Sequence, residues 1–499
     1  MSERKQTNLA GIAAISCVAL AATLIQRYAC VDDAYVSFVY ARNLADGAGL
    51  VFNPGERIEG YSNFLWVAIL SLCELFKEGS IPRSSQSVGI FLAVCNALLV
   101  YSLARRVIGE TSKIWAVSAA LVTALDLRIA VWSVEGLETP LYLFLVLASL
   151  RLYYSDRFRW ICGATCLGAA LTRPEGPLLA AVLFVHRAWA LARERERPRA
   201  GDYAALALFA LPYTAYTMWR MAYFGGGIFP NTFYARGNAG PAVGALYILI
   251  ELYRGWGVAA PFVVGIALYG ALKTRLETSA ATIWTAAAVA AVVAVGGDWM
   301  PNARFLVPIL PFLFILAAAG CAKMRSGAAG AAIMALLAAL QIGGVALYEI
   351  RPSFEKQWAR HQDTFYMPVA KKLDELGARG ELVAFSDIGY VGYHAGVRII
   401  DTLGLVDRHL SRMPDGPQWN TDLDYVLDRK PAFTVNMVRD YGKIEIGHTA
   451  FDRAALNNER YAAEYAIVEI VPGYEASEMS WDDWARHDYE VEFLIWKRK

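Results

Sequence analysis

Apolar runs recur along the first 349 residues, near 8–27, 61–76, 86–104, 113–127, 137–152, 158–172, 176–192, 203–222, 257–272, 281–297, 304–321 and 327–349. Short polar breaks separate them. Such runs predict membrane-spanning helices, because about 20 apolar residues cross a bilayer and fewer suffice where neighbouring helices bury them. Beyond residue 349 the pattern changes. ELVAFSD (381–387), VRIID (397–401), AFTVNM (432–437), AIVEIV (466–471) and YEVEFLIW (489–496) read as strands, and helical periodicity fills 354–376 and 419–430. The expected fold is therefore an α-helical polytopic membrane domain over 1–349 and a small α/β domain over 350–499. In the tail, DIGYVGYHAG reads as a Gly-rich loop at a strand end, where Asp387, Tyr390 and His394 are placed for ligand contact.

Composition sharpens this. Of 499 residues, 56% are hydrophobic and only 19% charged, against about 25% charged in a soluble domain. That excludes a soluble enzyme, a disordered chain and a single-pass receptor. The net charge of +1 gives no basic field for nucleic acid. All seven cysteines precede the tail, so no disulfide framework supports it. No CxxC, HExxH, GxGxxG or GxxxxGK[ST] signature occurs. The first run lacks a small-residue cleavage site and reads as a retained span.

Basic residues orient the spans. If 61–76 dips into the outer face without crossing, seventeen Lys and Arg fall on the cytoplasmic side and eleven on the outer side before the tail. If it crosses, fifteen of the seventeen flip outward, including the RERERPR run at 193–199. The positive-inside rule then favours eleven spans, with the N-terminus inside and the tail outside. The outer loops are 28–60, 128–138, 223–256 and 298–303.

The first of these, 28–60, is the most informative. Asp32 and Asp33 directly follow span 1, and residues 31–60 carry a net charge of −3. Two adjacent carboxylates beside a bilayer are expensive unless they pair, hold a cation or face water. Residues 34–45 have helical periodicity, which predicts an interfacial helix that one of the two could cap. Capping needs one carboxylate, which leaves the other for chemistry.

The stretch DDAYVSFVYARNLADGAGLVFNPGERIEGYSNFLW (32–66) resembles the C-type glycosyltransferase superfamily, whose members take sugar from a polyprenyl-phosphate donor. More closely, it is similar to the terminal β-(1→2)-arabinofuranosyltransferases of mycobacteria, which use decaprenylphosphoryl-arabinose. FPNTFYAR (229–236), GGDWMPNARFLVPILP (296–311) and SDIGYVGYHAGVRIIDTLGLVDRHL (386–410) carry the same likeness, so it spans nearly the whole chain. The resemblance implies a multi-pass plasma (inner) membrane enzyme with an extracytoplasmic tail. Its partners would be the lipid-linked donor, an envelope glycan or glycolipid acceptor, and membrane lipid, with no nucleic acid.

The chemistry needs a base or positioner for the acceptor hydroxyl and a cation for the departing phosphate, whose charge grows in the transition state. Asp32 or Asp33 is the expected base, or the ligand of a possible divalent cation; the position of Asp33 nearer the interfacial helix suits capping, which favours Asp32 as base. Arg304 and Arg236 suit the phosphate, since guanidinium pairs with it in bidentate fashion. The bland alternative is snorkelling, or a pair between Arg304 and Asp298. Glu135 and Glu138, at the outer mouth of a span, match a second acidic position of the superfamily and could orient sugar or a cation. Glu138 could equally favour a helix dipole. Arg173 and Glu175 of TRPEG read as a local pair. Glu59, Tyr61, Asn231, Tyr234 and Asp298 are candidate sugar or acceptor ligands, with Asp387 and His394 in the tail. A lipid-linked-substrate transporter or flippase is the alternative class. It predicts midplane charges and paired halves with broken helices, whereas the charges here gather at one face.

Overall fold

The computed structural model describes residues 3–27, 29–109, 113–235, 240–273, 279–300, 302–350, 354–414, 416, 418–440, 445–479 and 486–499. In chain order the helices are α1 (Glu3–Ile25), α2 (Asp32–Ala45), α3 (Phe64–Phe76), α4 (Ile81–Ile108), α5 (Lys113–Leu125), α6 (Leu127–Trp132) and α7 (Thr139–Tyr153). Then come α8 (Arg159–Thr172), α9 (Gly176–Glu194), α10 (Ala200–Phe224), α11 (Asn231–Ala235), α12 (Pro241–Trp256), α13 (Ala260–Lys273), α14 (Ala280–Val295), α15 (Leu310–Ala322) and α16 (Gly327–Ile350). The tail holds α17 (Phe354–Glu375), α18 (Ile388–His394), α19 (Leu423–Asp428), α20 (Ala450–Leu456) and α21 (Glu459–Glu464). Its strands are β1 (Leu382–Phe385), β2 (Arg398–Asp401), β3 (Phe433–Asp440), β4 (Glu445–Gly447), β5 (Tyr465–Met479) and β6 (Arg486–Arg498).

The chain packs as two units. The helical unit comprises residues 1–28, 83–217 and 238–352; the sheet unit comprises 29–82, 218–237 and 353–499. The acidic first loop and the FPNTFYAR region thus pack with the tail, whereas hydropathy alone divides the chain at residue 349.

In the helical unit, Ile81–Ile108, Pro241–Lys273 and Gly327–Ala346 are long and apolar enough to cross a membrane. Shorter apolar helices include Lys113–Leu125, Thr139–Tyr153, Ala280–Val295 and Leu310–Ala322. Large apolar side chains such as Phe262 and Leu272 lie 79% and 84% exposed, as on a lipid-facing surface. The stretch 241–256, expected within an outer loop, is helix α12. Glu251 and Arg254 interrupt its hydropathy, yet they sit one turn apart and form an ion pair of 2.8 Å. A 3₁₀ turn at Gly257–Ala259 joins α12 to α13.

In the sheet unit the strand order is β2-β1-β3-β6-β5, with β4 paired to β3. β1 runs parallel to β2 and β3, while β3–β6 and β5–β6 are antiparallel. Ala384, Ile400, Leu410, Leu427, Phe451 and Tyr465 centre its core. α3, 13 residues long, is shorter than a span and belongs to this unit. The segment DIGYVGYHAG, expected as a loop, is mostly helix α18, which packs on α2. Two of its glycines serve close approach: a Cβ at Gly389 would run into the backbone carbonyl of Asp32, and one at Gly392 into the Phe52 ring. That gives the Gly-rich composition a reason other than turning the chain.

Candidate active site

Asp32 and Asp33 open α2, where two negative charges suit the positive end of the helix. Neither caps it. The N-cap is Val31, in extended conformation and without a side-chain cap bond. The carboxylate of Asp32, 8% exposed, instead accepts the backbone N–H of Tyr390 (2.6 Å, on Oδ1) and of Gly389 (3.1 Å, on Oδ2). It therefore satisfies the first free amides of α18. Asp387 occupies the N-cap position of α18 and makes no side-chain cap bond. The expected capping of α2 by Asp33 is thus corrected, and Asp32 instead caps a helix more than 350 residues away in sequence.

Burial dominates the electrostatics of this cluster. Asp32 is pushed up to about 7 by burial first, against the Tyr390 N–H bond, with the charge of Asp33 adding to the rise. Asp387 is raised well above the usual carboxylate range by burial and then by Asp32, although the Tyr366 hydroxyl bonds it. One face of its carboxyl, Oδ2, is sealed from solvent with no hydrogen-bond partner among the described residues. Around the pair stand rings: Tyr35 lies 4.7 Å from Tyr390 and 5.5 Å from His394, and Tyr390 lies 4.4 Å from His394. His394 belongs to this aromatic group on α18.

Other sugar-ligand candidates in this unit join the first loop to the tail. Glu59, 7% exposed, pairs with Arg220 at 2.8 Å, and burial still lifts its carboxyl to about 7. Asn231 donates to the carbonyls of Gly404 (2.7 Å), Leu405 (2.9 Å) and Asp407 (3.3 Å) and accepts from the Ser411 hydroxyl (2.9 Å). Its backbone N–H bonds the Glu59 carbonyl at 3.1 Å. Asn231 thereby ties this segment to the 404–411 loop. The ring of Tyr61 packs on Tyr40 at 4.8 Å and is 3% exposed. Arg412 lies over the Tyr234 ring at 4.7 Å. Arg236 lies outside the described residues.

The second cluster belongs to the helical unit. Arg304 follows a turn in which Asn302 (φ 60°) and Ala303 (φ 51°) adopt the left-handed conformation that L-residues rarely take. The Trp132 indole N–H donates to the Asn302 carbonyl at 2.8 Å and secures that turn. Arg304 meets Asp298 side-on, Nε to Oδ2 at 2.7 Å and Nη2 to Oδ1 at 3.2 Å, and the Asp298 side chain is fully buried. Arg173 bonds Glu138 at 2.8 Å and Glu175 at 2.5 Å. The Glu138 carboxylate thus goes to an arginine, without a cap bond to α7. Phe305 links the two guanidiniums, with Arg173 at 5.1 Å and Arg304 at 5.4 Å from its ring centre. Glu135 is 5% exposed, and burial pushes its carboxyl up to about 8 against the charge of Arg304.

Sequence reading gave Arg304 to the phosphate and Asp298, Glu135 and Glu138 to sugar, acceptor or cation; the structure brings all four into one unit. It missed the bridging ring of Phe305 and the Arg220 partner of Glu59, for which no motif spacing gives a signal. Among the described residues, no group of three or more His, Cys, Asp or Glu gathers as a metal site. Both oxygens of Asp32 already accept a backbone amide of α18.

A family described as a Domain of unknown function (DUF8728) matches residues 353–493. No curated protein matches the chain. Among solved structures, the chain is similar to ArnT from Cupriavidus metallidurans bound to undecaprenyl phosphate. The TM-score is 0.58 at 15% identity, over 98% of this chain and 98% of that one. It is similar to the Archaeoglobus fulgidus oligosaccharyltransferase in the apo form, with TM-score 0.58 at 12% identity, over 94% of this chain and 80% of that one. The Archaeoglobus fulgidus oligosaccharyltransferase AglB in complex with an inhibitory peptide and a dolichol-phosphate follows, with TM-score 0.54 at 11% identity, over 95% and 80%. At these identities the likeness is one of fold, and this chain has the fold those proteins share.

Proposed function

We propose that this chain is a membrane glycosyltransferase that moves a sugar from a polyprenyl-phosphate donor to an envelope glycan on the outer face of the plasma membrane. The observation that carries the reading is the end-to-end likeness of fold to ArnT, solved with undecaprenyl phosphate. Fold alone never assigns chemistry, so the reading also leans on the two clusters. The acidic pair opens α2, and Arg304 is held side-on by a buried carboxylate.

In this reading the acceptor hydroxyl attacks the anomeric carbon, the bond from that carbon to the phosphate oxygen breaks, and the hydroxyl proton passes to a carboxylate. Asp33, half-buried beside the engaged Asp32, is the base. Arg304 stabilises the phosphate as its charge grows. The sugar is arabinofuranose and the donor decaprenylphosphoryl-arabinose, supported by the four sequence segments that resemble the arabinofuranosyltransferases. Eleven spans with the tail outside follow from the distribution of basic residues.

Purified full-length protein in liposomes, given labelled decaprenylphosphoryl-arabinose and an arabinan acceptor, is expected to transfer label. Transfer from another polyprenyl-phosphate sugar alone would replace the pentose and keep the class. No transfer from any such donor would remove the glycosyltransferase reading.

A further inference from the structure

Glu135, Thr139 and Tyr142 lie within eight residues of one another, in the connection from α6 and the first turn of α7. All three are buried, at 5%, 1% and 1% exposure. Each keeps a polar side-chain atom, Oε2, Oγ1 and the phenol oxygen, without a hydrogen-bond partner among the described residues. Buried polar groups are nearly always bonded, and each exception asks for a reason. Three exceptions in one short stretch mark a place built to meet oxygen atoms.

Their neighbours tell which kind. The Tyr142 ring lies 5.7 Å from the Arg173 guanidinium, and Arg173 and Arg304 lie on the ring of Phe305. The charged group acting on Glu135 is Arg304. Around it, Arg304 is paired with Asp298, and Arg173 with Glu138 and Glu175. The arginines are therefore already matched by carboxylates. An ionised Glu135 would add a charge that repels an anion. A protonated Glu135 would be a hydrogen-bond donor, as the hydroxyls of Tyr142 and Thr139 are.

We propose that Glu135 meets the donor's phosphate as a neutral carboxyl, donating an O–H···O bond beside Arg304, with the Tyr142 hydroxyl as a second neutral donor. This deepens the polyprenyl-phosphate reading and rests on it. The donor phosphate carries one negative charge as a diester and gains a second as it leaves. Neutral donors therefore strengthen their hold as the reaction proceeds, without the desolvation penalty of more buried cations. The burial that lifts the Glu135 carboxyl to about 8 keeps it protonated at neutral pH.

The test is binding of farnesyl phosphate to the full chain in detergent, by calorimetry from pH 7 to pH 9, where the phosphate's own second ionisation near 6 is about nine-tenths complete at the lower limit and changes little above it. With the Glu135 carboxyl near 8, wild-type affinity is expected to fall about tenfold across this range. Glu135→Gln keeps a donor that does not titrate, so it is expected to bind well at pH 7 and to lose the fall. Glu135→Ala is expected to weaken binding about tenfold at pH 7 and Tyr142→Phe about threefold, in the range of single charge-assisted hydrogen bonds. A slope unchanged in Glu135→Gln would overturn the proposal, even if the Ala variant fails to fold. Loss of wild-type binding on chelation would overturn it too, making Glu135 a cation ligand. Absence of any farnesyl phosphate binding by wild type would remove the lipid-phosphate reading itself. Tight binding with silent variants would remove only the role of Glu135.

Discussion

Asp32 and Arg304 are both charged side chains folded into a chain that is 56% hydrophobic, and different partners stabilise them. Asp32, in the sheet unit, is held by the backbone amides of Gly389 and Tyr390. Arg304, in the helical unit, is held by the buried carboxylate of Asp298. Backbone amides carry partial charge and cannot move away, so the first arrangement fixes geometry and leaves the group near the edge of ionisation. An ion pair supplies full charge, so the second keeps a guanidinium charged in an apolar setting. A carboxylate fixed by backbone is suited to position its neighbour; a guanidinium fixed by a carboxylate is suited to meet an anion.

The largest expected effect separates the two aspartates of α2. Asp33→Asn is expected to lower transfer by about 10²–10⁴-fold with donor binding retained, the range for loss of a general base. Asp32→Asn keeps an oxygen for one amide of α18 but loses charge-assisted bonding. It is expected to lower the melting temperature and to reduce turnover less. If Asp32→Asn abolishes turnover in a fully stable protein while Asp33→Asn is silent, the roles are reversed.

Next comes the ion pair. Arg304→Ala leaves Asp298 buried without its guanidinium, which costs about 3–5 kcal/mol when a buried pair is broken. Arg304→Lys keeps charge but loses the side-on fork, so donor affinity is expected to fall while most stability survives. Equal donor affinity in wild type and Arg304→Lys would leave Arg304 a structural partner of Asp298. A smaller effect is expected at Asn231. Asn231→Ala removes one hydrogen bond each from three carbonyls and a serine hydroxyl of the 404–411 loop, for about 1–3 kcal/mol of destabilisation. Turnover at a temperature where the protein stays folded is expected to be near normal. Lost turnover with unchanged melting would restore Asn231 as a ligand.

What the sequence made legible follows from what periodicity records. Apolar runs gave most helices of the helical unit, and alternation gave the five longer tail strands, because both are local. Helix α12 was missed because Glu251 and Arg254 look polar singly and are nearly neutral as a pair. Helix α18 was missed because glycine signals both a turn and close packing, and only the partner backbone at Asp32 tells which. The side-chain partners of Asn231 left no trace in the sequence because they lie 173 or more residues away. Asp32 and Asp33 stood out as a costly pair, but nothing local showed which of them the amides of α18 would engage.

The smallest expected effect is a pH dependence of stability in the sheet unit. Burial lifts Asp32 and Asp401 to about 7 and Asp452 to about 6, and raises Asp387 as well. In the unfolded chain these groups return to about 3.9. Between those values the native state holds more protons than the unfolded state, so stability falls as pH rises through the window and grows on acidification. Each such group contributes at most about 1.4 kcal/mol per pH unit inside the window, and solvent relaxation reduces this. The melting temperature of the full chain is therefore expected to rise by a few degrees from pH 8 to pH 6. Asp401 accepts backbone N–H bonds from Leu403 and Val406, which an asparagine oxygen can partly keep. Asp401→Asn should then fold and show a shallower rise. A melting temperature that falls on acidification over this range, in wild type and variant alike, would mean that carboxylates paired with arginine control the response. The contrast between backbone-held and arginine-held charge would then not govern stability in this protein.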